Sequence, residues 1–458
     1  MTLYIVSLFL IGLLLIASEQ TTHINKAAVA MFVGVTCWIL YITMGTDFVL
    51  SEHGADFREF LGQTAVNGSA AKDFIAQRLF SSYTMYAANV VLFLLATTTI
   101  VEVLDNNGCF DFAHEILRTR RPRQFMWIVA GLTFVISANL DNLTTTCLML
   151  AVMHRMVADE RMRWTMGAVI VVAANMGGAF TAIGDTTSLA LWSQGLVTPS
   201  AYSARLVLPS LAALVTVLVL VHLKLPHSMH LVRTAPPYRG DDTILNQWQR
   251  ALMLAVGIGG LWFIPTFHRI THLPAFLGAL CVLSVLWIVN ELCNHRLLQS
   301  DVMVKKRNPL ALQYQNVQNM LFFLGMVLAV GAVNEAGFLP DFSHWMAKNA
   351  DNYYVIGALG GLLSALVNNV SIMLMNIAAF TNVTDCADYA AGGNFWPWLS
   401  YCTSIGGSLL AIGTMAGFAY LKMENVSFGW YVRHFLPKVL AGFIVGGVVF
   451  YLTTLLWA

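Results

Sequence analysis

The sequence predicts an all-α polytopic membrane protein made of two inverted repeats, each with five transmembrane helices and one re-entrant hairpin. Three observations carry this reading. Of 458 residues, 57% are hydrophobic and 11% charged, against roughly a quarter charged in a soluble domain. Apolar runs long enough to span a bilayer core of about 30 Å recur along the whole chain. The polar interruptions of the two halves match at a nearly constant offset.

Ten runs read as spans: 3–18, 25–44, 83–105, 165–195, 204–223, 248–266, 272–291, 317–338, 398–421 and 434–457. The first lacks the positively charged start of a secretory signal and reads as a span. Runs 124–157 and 353–380 are broken in the middle, at Ser137-Ala138-Asn139-Leu140-Asp141-Asn142 and at Asn368-Asn369. Polar backbone at membrane depth is tolerated only inside protein or beside a wet cavity, so both runs read as re-entrant hairpins. Acid and base nearly cancel, which excludes a nucleic-acid surface. The seven cysteines never form C-x-x-C, which speaks against a disulfide framework or a structural zinc site.

Ser137-Ala138 and Asp141-Asn142-Leu143-Thr144 align with Ser364-Ala365 and Asn368-Asn369-Val370-Ser371, 227 residues on. Asn175-Met176-Gly177-Gly178 and Ile183-Gly184 align with Ser404-Ile405-Gly406-Gly407 and Ile412-Gly413, 229 residues on. Asn107-Gly108 falls opposite Ala336-Gly337 at the same 229. With five crossings per half, an odd number, the second half enters the membrane upside down. The first repeat is then 1–223, residues 224–247 form a cytoplasmic linker, and the second repeat is 248–458. With the N-terminus outside, the cytoplasmic segments hold 19 of the 25 Lys and Arg, including Arg118, Arg120, Arg121, Arg123 and Lys305-Lys306-Arg307. That is the positive-inside bias.

Ionisable groups inside spans mark ion or proton pathways by default. Asp141 lies at the tip of the first hairpin, and Asp185 follows the glycines that interrupt run 165–195. Helix-capping is the competing role for each. Asn142, Thr144, Thr145, Thr181, Thr186 and Thr187 add the oxygens that a hard cation requires. The second half answers with neutral groups: Ser364, Asn368, Asn369, Ser371, Ser404 and Ser408. Neither interruption carries a Lys or Arg, so the site suits a cation better than an anion. Glu102, Asp105 and Glu335 are weaker candidates, and His222, His227 and His230 are the candidates for a pH sensor. An intramembrane aspartyl protease would resemble Gly-x-Gly-Asp where this chain reads Ala182-Ile183-Gly184-Asp185, so no enzymatic activity is expected.

Ser-Ala-Asn-Leu-Asp-Asn-Leu-Thr-Thr at 137–145 resembles the first hairpin of NhaD-type sodium/proton antiporters of the ion transporter superfamily. So do Asn175–Gly178 through Ile183–Thr187, and Thr403-Ser404-Ile405-Gly406-Gly407-Ser408. The resemblance spans roughly 83–457. It implies exchange of Na+ (and Li+) for H+ in a bacterial inner membrane. It also implies a homodimer with a static scaffold domain and a moving transport domain, cycling like an elevator without any cofactor. By this match the ion-site set is Ser137, Asp141, Asn142, Thr144, Asn175, Asp185, Thr186, Ser364, Asn369, Ser404 and Ser408. A sodium-coupled dicarboxylate or other anion carrier of the same superfamily is the alternative.

Overall fold

The computed structural model describes residues 1–457 apart from 23, 46–47, 50–52, 63–67, 111–116, 118–120, 226–244, 295–309, 350–351, 382 and 384–385. Among the described residues every regular element is helical. In the first half these are α1 (Thr2–Ala17), α2 (Glu19–Thr22), α3 (Lys26–Met44), α4 (Gly54–Leu61) and α5 (Gly68–Asn106). There follow α6 (Pro122–Ser137), α7 (Asn142–Met156), α8 (Glu160–Ala179), α9 (Thr186–Ser193) and α10 (Pro199–His222). The second half brings α11 (Gln247–Thr271), α12 (Ala275–Asn294), α13 (Leu310–Glu335), α14 (Phe338–Asn349), α15 (Tyr353–Leu366) and α16 (Asn369–Phe380). It closes with α17 (Phe395–Gly406), α18 (Met415–Met423), α19 (Phe428–His434) and α20 (Leu436–Trp457).

Local chemistry accounts for many of the helix starts. Pro122 and Pro199 occupy first-turn positions, where a missing N–H costs nothing. Asn25 caps α3, and Asn246 with Gln249 forms a capping box for α11. Among the described residues, seven helices are long and apolar enough to cross a membrane: those of α3, α5, α10, α11, α12, α13 and α20. Three of the ten expected spans are not single helices of that length. α1 is 16 residues long, while runs 165–195 and 398–421 are split, at 180–185 and at 407–414. The linker expected at 224–247 lies mostly outside the described residues, as do His227, His230, Arg118, Arg120 and Lys305-Lys306-Arg307.

The helices pack in two groups. In one, α3 lies along α13, with α1, α5, α11 and α12 around them. Trp38 Nε1 donates to Leu328 O at 2.9 Å across the α3–α13 contact. In the other, α6 packs on α8, α15 on α17, and α10 on α20. Tyr401 OH donates to Phe443 O at 2.7 Å and ties α17 to α20. The groups meet where α16 lies against α13 and α9 against α5.

Both breaks of the first half recur in the second with matching contacts. Ser137 Oγ donates to Ala174 O at 2.7 Å, and Ser364 Oγ donates to Thr403 O at 2.7 Å. A Cβ on Gly184 would stand 2.6 Å from Ser137 O, and one on Gly413 would stand 2.3 Å from Ser364 O. Only glycine lets the backbone of each broken helix approach its partner this closely.

Candidate functional site

Four half-helices begin at the breaks, each behind a polar cap. Asp141 Oδ2 accepts from the backbone N–H of Leu143 at 3.1 Å and of Thr144 at 3.4 Å. Asp185 Oδ1 accepts from Thr187 N at 3.5 Å, Asn368 Oδ1 from Val370 N at 2.9 Å, and Thr414 Oγ1 from Gly417 N at 3.1 Å. Capping thus is a role of both aspartates. It does not require their charge, because Asn368 and Thr414 do the same work uncharged. Two buried carboxylates remain to be explained by something else.

The caps are interleaved across the halves. Asp185 Oδ2 accepts from Thr187 Oγ1 at 2.8 Å, from Ser404 Oγ at 2.8 Å and from Asn369 Nδ2 at 3.3 Å. Thr187 and Ser404 share a further hydroxyl contact of 3.0 Å. Asn175 joins another set. Its Oδ1 accepts from Asn142 Nδ2 at 3.0 Å, while its Nδ2 donates to Ser408 Oγ at 2.8 Å and Thr414 Oγ1 at 3.1 Å. Thr186, next to Asp185, donates to Asp141 Oδ1 at 3.5 Å, so the two carboxylates face one polar core and repel each other.

Asp141 is 6% exposed and Asp185 2%, and Asn175, Ser404, Ser408 and Thr414 are fully enclosed. Several oxygens of this core remain unpaired. The hydroxyls of Thr144, Thr145, Thr146 and Ser371 have no hydrogen-bond partner among the described residues, nor does Asn368 Nδ2. Thr144 and Ser371 are repeat equivalents, 227 residues apart. Buried polar atoms without partners are costly and call for a reason. An oxygen-rich, buried core with two carboxylates and orphan hydroxyls has the chemistry that holds a small hard cation or, alternatively, protons on the carboxylates.

The structure brings Asp141, Asn142, Asn175, Asp185, Thr186, Asn369, Ser404 and Ser408 into one connected core, with Thr144 on its edge. The hydroxyls of Ser137 and Ser364 donate to Ala174 O and Thr403 O and so staple the first arm of each pair to the split helix, which leaves their oxygen lone pairs free to accept. Thr414, beyond the motif set, ties Asn175 to the second break, and its position as the repeat equivalent of Asp185 is the signal that points to it. Glu335 is engaged elsewhere, with Tyr83 OH and His53 Nε2 at 2.7 Å each. Glu102 sits near the end of α5, whose last residue is Asn106, and Asp105 directly precedes that residue. His222 Nδ1 accepts from Trp127 Nε1 at 3.2 Å.

Over residues 13–297 the chain matches the family described as citrate transporter. It is 30% identical to sodium/proton antiporter 2 of Arabidopsis thaliana over 441 residues, 96% of each chain. It is also 27% identical to the Na(+)/H(+) antiporter NhaD of Vibrio cholerae, over 82% of this chain and 80% of that one. The NhaD antiporter of Alkalimonas amylolytica is 24% identical over 96% of this chain and 88% of its own.

Proposed function

This chain belongs to the NhaD-type sodium/proton antiporters of the ion transporter superfamily, and we propose that it exchanges Na+, and Li+, for H+ through Asp141 and Asp185. The observation that carries this is the pair of buried carboxylates in an oxygen-lined core, where uncharged residues do the same capping in the other half. Protons and the metal ion compete there. With both carboxylates protonated the core holds no net charge to attract sodium; once protons leave, the carboxylates and neighbouring hydroxyls replace its hydration shell. Release of one species on one side and capture of the other on the opposite side completes the exchange.

The architecture we attach to this is two inverted repeats, 1–223 and 248–458, joined by the linker 224–247. The hairpins 124–157 and 353–380 are re-entrant, and with the split helices they form a moving domain that cycles like an elevator. The matched contacts at Ser137/Ser364 and Gly184/Gly413 support the repeat, and the two packed groups of helices support a static and a moving part. The distribution of Lys and Arg supports an N-terminus outside, and the bacterial inner membrane rests on the resemblance to NhaD-type antiporters. The homodimer rests on the family resemblance. A sodium-coupled anion carrier is the competing reading, favoured by the family description. The absence of Lys and Arg from both breaks opposes it.

The test is collapse of an imposed pH gradient in inverted vesicles, with sodium, lithium, potassium and a dicarboxylate added separately. Sodium and lithium dissipate the gradient on this reading. Dicarboxylate uptake without sodium/proton exchange defeats it.

A further inference from the structure

Close to the carboxylate core in the chain, a small cavity of about 40 Å³ opens between helices, room for a water or two. One wall is made by Glu19, Lys26 and Asn319, from the group of helices that contains α3 and α13. The other is made by Leu143, Met415 and Phe418, from α7 and α18. Leu143 is the residue whose N–H caps onto Asp141, and Met415 follows Thr414, so chain neighbours of two of the core's caps line this cavity.

Lys26 is an unexpected residue to find there. It is 6% exposed, and a buried ammonium is costly unless well paired. Its carboxylate partner, Glu19, stands 3.6 Å away, beyond a good hydrogen bond. The ammonium also lies over the rings of Phe418, at 4.7 Å, and Phe322, at 5.8 Å; Lys422 is over the Phe418 ring at 4.1 Å, and Gln318, Asn319 and Lys422 line the same cavity. It is also the first residue of α3, where the helix dipole disfavours a positive charge. Burial and helix position both disfavour a cation at 26, and the Glu19 carboxylate and the two aromatic faces offset that only in part. Asn319, 6% exposed, presents an Oδ1 with no partner among the described residues.

We infer that this cavity is the last step of the cation path on the Glu19 side of the membrane, with Lys26 as its charge gate. The Lys26 ammonium repels an entering sodium ion, Glu19 offsets part of that repulsion, and Asn319 Oδ1 supplies a transient oxygen ligand. Because Lys26 belongs to one helix group and its ring partner Phe418 to the other, any sliding between the groups changes the gate. The inference rests on the antiport reading, and it makes entry from the two sides unequal.

The test is sodium-dependent exchange in right-side-out and inverted vesicles, for the unmodified chain, Lys26→Met, Lys26→Arg and Glu19→Gln. Removing the repulsive charge in Lys26→Met lowers the sodium KM on the Glu19 side by about threefold or more, with the other side unchanged. Glu19→Gln raises the KM on the same side, and Lys26→Arg stays near the unmodified value. A merely structural lysine moves both sides alike, or moves only the amount of protein in the membrane. Equal shifts on both sides, no shift, or shifts of the same sign in Lys26→Met and Glu19→Gln overturn the inference. If Lys26→Met does not reach the membrane, the sign and sidedness of Glu19→Gln decide alone. Side-specific shifts absent from a chain that exchanges normally refute only the gate; no exchange by the unmodified chain refutes the antiport reading and the gate together.

Discussion

Asp141→Asn separates the capping role of the first aspartate from its charge. Asn ranks with Asp as a helix cap, and Asn368 already caps α16 from the equivalent position, its Oδ1 2.9 Å from Val370 N. The amide also relieves the repulsion from Asp185. Folding stability therefore changes by no more than about 0.5 kcal/mol. Transport responds differently. A sodium ion beside a carboxylate, at an effective dielectric near 20, is held by several kcal/mol, and losing even about 3 kcal/mol weakens binding more than 100-fold. The amide also has no proton to exchange. Gradient collapse in inverted vesicles, measured beside thermal denaturation of the solubilised protein, reads both quantities. Exchange near the unmodified rate refutes the assignment of Asp141. Loss of exchange accompanied by an equal loss of folded protein refutes the claim that only the charge matters.

Asp185→Asn also abolishes exchange, but it lowers stability by about 1–3 kcal/mol, because Ser404, Thr187 and Asn369 all donate to one oxygen of the carboxylate; a denaturation temperature equal to that of Asp141→Asn contradicts this. Gly184→Ala and Gly413→Ala each cost about 1–3 kcal/mol, since the added methyl meets Ser137 O or Ser364 O well inside contact distance; normal stability of either shows that the paired elements move apart freely. Competition at one site makes sodium affinity strengthen by up to about tenfold per pH unit for each proton displaced, then level off at alkaline pH. Replacing His222, His227 and His230 together leaves that profile in place, and a shift of about one unit or more defeats single-site competition.

The breaks were legible because polar residues inside apolar runs are rare and expensive, so Asp141, Asp185 and the repeat offset stand out without any structure. The partners were less legible. Ser137 and Ser364 entered the ion set with their motifs, yet which carbonyl accepts from each hydroxyl is decided by packing between helices, and that contact has no signal in the sequence. Thr414 was visible only as the counterpart of Asp185. Lys26 counted merely as one basic residue at the end of an apolar run. Its burial against Phe418 depends on contacts between residues nearly four hundred positions apart, for which no local pattern exists. The short helices α4 and α14 mix polar and apolar residues over 8 and 12 positions, too short for a search based on apolar runs.

Two of the donors that satisfy Asp185, Asn369 and Ser404, lie 184 and 219 residues further along the chain. At a synthesis rate of about 5–20 residues per second, the ribosome needs on the order of ten to forty seconds to deliver Ser404 after Asp185. Throughout that time the first half sits in the bilayer with an incomplete polar core, and Asn175 likewise waits for Ser408 and Thr414. The nascent first half is therefore the stage most exposed to membrane quality-control proteases. Supplying residues 248–458 as a separate polypeptide, made at the same time, rescues it only if the two pieces meet before degradation does.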